Sequence, residues 1–216
     1  LHLCDRRQRQ MCIRDRYSEY DYNIEITGVQ TDSRFVKPGN LFLPIRGKNF
    51  EGDEFFIDAI TKGAVAIVYD KAIHNLTIPV IIVDNLEKEL FRLIDLIYEK
   101  PYNELTMIGV TGTDGKTSVS TLTSYLLNHL SRCANIGTNG IIYDKEIIDN
   151  VFTTPILTQN YSLLREFSNL GISYVSMEVS SQGIANKRIE GILYDYAIFT
   201  NLSHEHLDLS LIHISE

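Results

Sequence analysis

The residues with the clearest chemistry are Gly109 to Thr117, which read GVTGTDGKT. They lie between a run of strand character, Met107 to Val110, and a segment of helical period that starts at about Thr117. A strand, a glycine-bearing loop and a helix N-terminus surround a polyphosphate with backbone N–H groups and the positive end of the helix dipole. Lys116 then reaches the outer phosphate oxygens and Thr117 offers its hydroxyl to Mg2+, so the chemistry is ATP binding. The strict Gly-x-x-x-x-Gly-Lys-Thr spacing is broken, because Val110 stands where the first glycine belongs. Asp114 adds a carboxylate to the loop, repelled by phosphate unless Mg2+ or Lys116 compensates it. Farther along, Glu178 ends an apolar run, a place where a carboxylate requires a cation or a partner.

Positioning these groups calls for alternating strands and helices. Runs of strand length at Leu41 to Pro44, Val65 to Tyr69, Val80 to Val83, Thr106 to Thr111, Tyr174 to Val179 and Tyr196 to Thr200 alternate with helical segments, which indicates an α/β protein. Leu86, Leu90, Leu93, Ile94 and Ile97 form one apolar stripe, Val119, Leu122, Leu126 and Leu130 a second, and Leu157, Tyr161, Leu164 and Phe167 a third. All three are expected to be core. Pro101 ends the helix before it, which divides the chain into a first domain at 17–99 and a second at 100–208. The second stops after a strand and a His-rich loop, without the remaining strands of a doubly wound sheet, so it is expected to be incomplete.

The ends read differently from the body. Met11 to Arg16 can be encoded by a DNA segment whose opposite strand translates as Leu-Ser-Leu-Ile-His-Ile, the sequence of Leu209 to Ile214. Residues 1–16 and 209–216 are therefore expected to be translated sequencing-adaptor DNA, and function is sought between them. Five of the 20 basic and three of the 28 acidic residues go with those ends, leaving a body near −10 in charge. Such an acidic body argues against nucleic acid as a partner. No apolar run reaches the ~20 residues of a membrane span, and no apolar stretch follows a basic start, so a cytoplasmic protein that binds no membrane is expected. Cys133 is the one cysteine of the body; it makes no disulfide framework and reads as a packed thiol.

The Gly-Thr-x-Gly-Lys-Thr variant after a strand resembles the loop of the Mur ligases and of the folylpolyglutamate synthetases. TDSR at Thr31 to Arg34, GNLFLPIRGKNFEGDEFF at Gly39 to Phe56 and KGAVAIV at Lys62 to Val68 resemble the UDP-binding domain of the Mur ligase branch that adds the third peptide residue. TTP at Thr153 to Pro155, MEVSSQG at Met177 to Gly183 and FTNLSHEHLD at Phe199 to Asp208 resemble its central domain. The resemblance implies a small amino-terminal α/β UDP-binding domain followed by a P-loop-type central domain. Its cofactors are ATP and Mg2+, with Gly112, Thr113, Asp114, Gly115, Lys116, Thr117 and Ser118 around the nucleotide. Lys116, Glu178 and His206 are implied as catalytic, and Thr117, Glu178 and His206 as metal ligands. Ser33 would contact uridine, and Thr153, Thr154, Ser180, Asn186 and Arg188 the rest of the nucleotide-linked substrate. The bland reading of Thr31 to Arg34 is a turn capped by Asp32 and Ser33.

The implied reaction is amide synthesis on UDP-MurNAc-L-Ala-D-Glu through an acyl phosphate, with meso-diaminopimelate or L-lysine as the incoming amino acid and a monomeric enzyme. The family's carbamylated lysine and carboxy-terminal domain lie beyond Asp208, so the chain is expected to be inactive alone. Three positions depart from the pattern: Asp114 for Asn, Gln182 for His and Asn186 for Gln. A folylpolyglutamate synthetase lacks the block from TDSR to KGAVAIV, and a non-catalytic nucleotide-binding module is the alternative from another class.

Overall fold

The computed structural model describes residues 10–12, 23–44, 55–71, 73 and 75–203. The chain forms two compact units, residues 1–99 and 100–216. Each has its own sheet, and both are mixed α/β.

In the first unit a short antiparallel ribbon pairs Gln10–Cys12 (β1) with Asn23–Glu25 (β2). Four parallel strands follow in sequential order: Gly28–Gln30 (β3), Asn40–Phe42 (β4), Ala66–Tyr69 (β5) and Val80–Ile82 (β6). Strand β5 is buried along its whole length, as expected of a parallel strand covered on both faces. Helix α1 (Phe56–Thr61) inserts Phe56 and Ala59 into a core with Val36, Phe42, Ala64, Ile67 and Tyr69. The Phe56 and Tyr69 rings meet edge to face at 5.1 Å. Helix α2 (Leu86–Tyr98) starts where the Asn85 side chain accepts from Lys88 N at 2.9 Å, and it buries Leu90, Leu93, Ile94 and Ile97 as its stripe predicts. Glu99, the C-cap of α2, and Lys100 after it both take left-handed φ, which ends the helix ahead of Pro101.

The second unit holds a six-stranded sheet in the order β10-β9-β8-β11-β7-β12. Its strands are Thr106–Thr111 (β7), Cys133–Gly137 (β8), Gly140–Tyr143 (β9), Glu146–Ile148 (β10), Tyr174–Glu178 (β11) and Tyr196–Phe199 (β12). Strands β8, β11, β7 and β12 run parallel, while β9 and β10 fold back as an antiparallel edge. The chain passes from β7 through α3 (Lys116–Leu127) to β8, leaving a gap that β11 fills after α4 (Leu157–Asn169). After a short helix α5 (Ser181–Ala185), β12 joins the opposite side of β7. Strand order thus reverses around β7, and ligands of open α/β sheets bind beyond the carboxyl ends of strands at such a point. Helix α4 buries Leu157, Tyr161, Leu164 and Phe167 as expected.

Helix α3 departs from its expected role. Leu122, Leu126 and Leu130 are 58%, 55% and 76% exposed, so that stripe is not core. The helix lies on the sheet through Ser120 and Ser124, and the Ser120 carbonyl accepts from the Ser176 hydroxyl of β11 at 3.0 Å. Small residues let a helix approach a sheet closely, and this close fit ties the head of α3 to the strand that carries Glu178. An apolar periodicity reports which side chains share a face, not which face turns inward. No described helix is long and apolar enough to cross a membrane.

Candidate functional site

The phosphate-loop sequence connects β7 to α3. Gly112 and Gly115 both take positive φ, +135° and +79°, a conformation that L side chains rarely adopt. At Gly112 space also forbids a side chain, since a Cβ would stand 2.2 Å from the Thr200 hydroxyl oxygen. Gly115 is the N-cap of α3 and supplies no side-chain cap. The N–H groups from Gly115 to Ser118 open the helix, where intrahelical acceptors are lacking. Lys116 folds over this loop, donating to the Gly112 and Thr113 carbonyls at 2.7 Å each.

Glu178 ends β11 beside Val110 of β7 and is 1% exposed. Its Oε2 accepts from the Thr117 hydroxyl at 2.9 Å and from the Thr138 hydroxyl at 3.3 Å, and its Oε1 accepts from Thr138 N at 2.9 Å. All of these donors are neutral. A Cβ at Gly137 would stand 2.0 Å from Glu178 Oε1, so only glycine lets the turn after β8 close over the carboxylate. Among the described residues no three His, Cys, Asp or Glu side chains gather as a metal site. His206, together with His204 and Glu205, lies outside the described residues.

The two adjacent threonines have different surroundings. Thr153 is partly exposed and its hydroxyl meets that of Thr138 at 3.0 Å, within reach of the Glu178 cluster. Thr154 is fully buried; its hydroxyl donates to the Glu178 carbonyl at 2.9 Å, accepts from Ser180 N at 2.9 Å and lies 3.0 Å from the Ser180 hydroxyl. Ser180 in turn caps α5 by accepting from Gly183 N at 3.0 Å. Arg188 donates to the Thr154 carbonyl at 3.0 Å and stacks over Phe152, 4.1 Å from the ring centroid. Burial makes the Arg188 guanidinium a weaker base than usual. Asn186 is exposed at the end of α5, donating to the Gln182 carbonyl at 2.8 Å. Thus Lys116, Thr117, Glu178, Thr153, Thr154, Ser180 and Arg188 gather beyond the carboxyl ends of β7, β8 and β11.

Ser33 belongs to the first unit. It opens a short 3-10 turn, Ser33–Phe35, capped by Asp32, whose carboxylate accepts from Arg34 N at 2.9 Å. The Arg34 guanidinium holds the Asp32 carboxyl below its ordinary range. Ser33 itself is buried, with its carbonyl accepting from Lys62 Nζ at 3.1 Å. Lys62, and after it the Ser33 hydroxyl, hold the Asp58 carboxyl below its ordinary range. The adjacent stretch Arg46 to Gly52 lies outside the described residues.

No individual role follows from the sequence for Gly137, Thr138, Thr200 or Asn201, although the last two lie within the FTNLSHEHLD stretch. The Gly-Thr-Asn-Gly run at 137–140 is a turn signal that could have marked the first pair. Nothing in the local sequence indicates that Thr200 and Asn201 would meet a loop some ninety residues away.

Known proteins resemble this chain over most of its length. Residues 110–213 match the Mur ligase middle domain, and residues 25–94 match a region described as the Mur ligase family catalytic domain. A UDP-N-acetylmuramoyl-L-alanyl-D-glutamate--2,6-diaminopimelate ligase of Haemophilus influenzae is 37% identical over 201 residues, 88% of this chain and 41% of its own length. UDP-N-acetylmuramyl-tripeptide synthetase 2 of Oceanobacillus iheyensis is 41% identical over 189 residues, 85% of this chain and 38% of its own. A solved structure of a diaminopimelate ligase with the first of these names superposes with a TM-score of 0.64 at 26% identity, covering 85% of this chain and 38% of that one. A MurF ligase from Thermotoga maritima in complex with ADP, at 24% identity and a TM-score of 0.55 over 81% of this chain and 37% of that one, shares the fold. The chain spans about two fifths of the length of these relatives.

Proposed function

This chain belongs to the Mur ligase family, and from that premise we propose that it comes from the ATP-dependent ligase that adds meso-diaminopimelate, or L-lysine, to UDP-MurNAc-L-Ala-D-Glu in the cytoplasm. The observation that carries the reading is the 2.9 Å bond between Thr117 and Glu178. It joins the head of the phosphate-loop helix to a buried carboxylate whose donors are all neutral. A carboxylate so placed is relieved by a divalent cation, and the uncapped head of α3 suits a polyphosphate. The residues present therefore fit Mg2+ and ATP: Thr117 and Glu178, with His206, would hold the metal, and Gly112 to Ser118 the phosphates. ATP supplies the phosphoryl group that activates the substrate carboxylate for attack by the amino acid's amine.

The chain's own groups act by position and charge. Lys116, which donates to the Gly112 and Thr113 carbonyls here, would turn to the phosphate oxygens and offset their charge. Thr138 donates to both oxygens of Glu178 and so orients the carboxylate. Thr153, Ser180 and Arg188 would meet the nucleotide-linked substrate from this cluster, and Asn186 would meet it from the exposed end of α5. Thr154 serves by anchoring Ser180 and the end of β11, its hydroxyl being committed to both. In the first unit Ser33 contacts uridine, with Asp58 and Lys62 fixing the turn behind it.

Titration calorimetry on the 216-residue chain tests these assignments. Mg·ATP and UDP are each expected to bind. Lys116→Ala should abolish Mg·ATP binding and leave UDP binding intact, whereas Ser33→Ala should weaken UDP by about 1 kcal/mol, the scale of one hydrogen bond. Loss of UDP binding in Lys116→Ala with no effect of Ser33→Ala would put the uridine site in the wrong unit, and absence of Mg·ATP binding would remove the ligase reading.

A further inference from the structure

The phosphate loop is laced to the segment that follows β12. Asn201 presents its side-chain amide to the Asp114 peptide on both sides: Oδ1 accepts from Asp114 N at 2.9 Å and Nδ2 donates to the Asp114 carbonyl at 3.2 Å. The same carbonyl accepts from the Thr200 hydroxyl at 2.6 Å, and that hydroxyl also lies 3.2 Å from the Thr111 carbonyl. The Asn201 carbonyl accepts from Thr113 N at 3.0 Å, and Ser203 N donates to the Thr113 hydroxyl at 2.9 Å. Contact is close enough that any side chain at Gly112 would collide with Thr200 and Asn201. The N–H groups of Thr113 and Asp114 are therefore consumed by Asn201 and are not donors for a ligand.

We propose that Thr200 and Asn201 are positioning residues of the phosphate loop. By holding the Thr113–Asp114 stretch through its own peptide groups, they leave the first-turn N–H groups of α3, with Lys116, as the donors for a bound diphosphate. Asp114 is thereby fixed through its backbone, and its carboxylate is steered toward Ser203, whose hydroxyl lies 3.4 Å away. This rests on the reading of the loop as an ATP site and adds the device that shapes it.

The test uses the 216-residue chain, Mg·ADP as probe, and the near-isosteric pair Thr200→Val and Thr200→Ser, with Asn201→Leu as a second probe of the same clamp. Thr200→Val and Asn201→Leu should each weaken Mg·ADP by about tenfold or more, whereas Thr200→Ser, which keeps the hydroxyl, should stay within about twofold of wild type. UDP affinity of the first unit should be the same in all four proteins, and tripolyphosphate should show the same ranking as Mg·ADP. A mere packing role would lower the melting temperature of Thr200→Ser and Thr200→Val alike and would not be rescued by serine. Thr200→Val binding Mg·ADP as tightly as Thr200→Ser overturns the proposal. Failure of the wild-type chain to bind Mg·ADP would instead overturn the ATP-site reading, and the proposal with it.

Discussion

Replacing Thr154 by valine separates a substrate hydroxyl from a structural one. The side chain is fully buried, and its oxygen serves the Glu178 carbonyl and Ser180 N, both at 2.9 Å, in addition to the Ser180 hydroxyl. Valine keeps the volume, so no cavity opens, but two backbone groups at the end of β11 lose this partner. At about 1–3 kcal/mol for each buried polar group left unmatched, the expected loss is about 2–6 kcal/mol, with the Ser180 hydroxyl still occupied by Gly183 N. Urea unfolding followed by circular dichroism should show the loss as a lower midpoint with an unchanged slope in the transition of the second unit. For a unit of about a hundred residues each kcal/mol lowers the melting temperature by roughly 4–8 °C. Thr153→Val provides the comparison, because its hydroxyl is partly exposed and meets only that of Thr138; the expected cost is below about 1 kcal/mol. Equal stability losses for the two variants, or a Thr154→Val loss under about 0.5 kcal/mol, would refute the reasoning and return Thr154 to the substrate.

Gly137→Ala places a Cβ 2.0 Å from Glu178 Oε1, and the forced displacement should cost about 1–3 kcal/mol of stability and reduce Mg·ATP affinity; unchanged affinity by calorimetry would argue against Glu178 as a metal ligand. The Tyr143 hydroxyl, which donates to Glu166 Oε1 at 3.1 Å, is pushed up to about 12 by burial first and then by the Glu146 and Glu166 carboxylates. Because the folded state holds this proton more tightly than the unfolded one, the contribution is intact below pH 10.0 and is lost as pH rises through about 12. Tyr143→Phe should therefore flatten the alkaline fall in melting temperature, and an unaltered slope would exclude Tyr143 from it. The 216-residue chain, given ATP, Mg2+, UDP-MurNAc dipeptide and a diamino acid, is expected to release no phosphate above blank, since it spans about two fifths of the length of its relatives; steady product by mass spectrometry would contradict this.

The sequence by itself determined the α/β class, strands β4, β5, β6, β7, β11 and β12 to within a residue or two, and the buried stripes of α2 and α4. It did so because these features are local: an apolar run of strand length, a 3.6-residue period and a proline stop each act within about a dozen residues. The phosphate loop was legible for the same reason, its glycines, Lys116 and Thr117 being contiguous. Which face of α3 turns inward was not legible, because Ser120 and Ser124 reach the sheet through a fit that only the assembled strands define. Nor could the sequence distinguish Thr153 from Thr154, neighbours of one type whose hydroxyls go to an exposed partner and to a buried backbone knot. Glu178 was marked by its place at a strand end, but its donors come from residues forty and sixty-one positions away, brought together by a strand order that reverses around β7. Pairings of that length carry no local pattern, so tertiary structure alone decided that Thr138 orients the carboxylate and that Thr200 and Asn201 hold the loop.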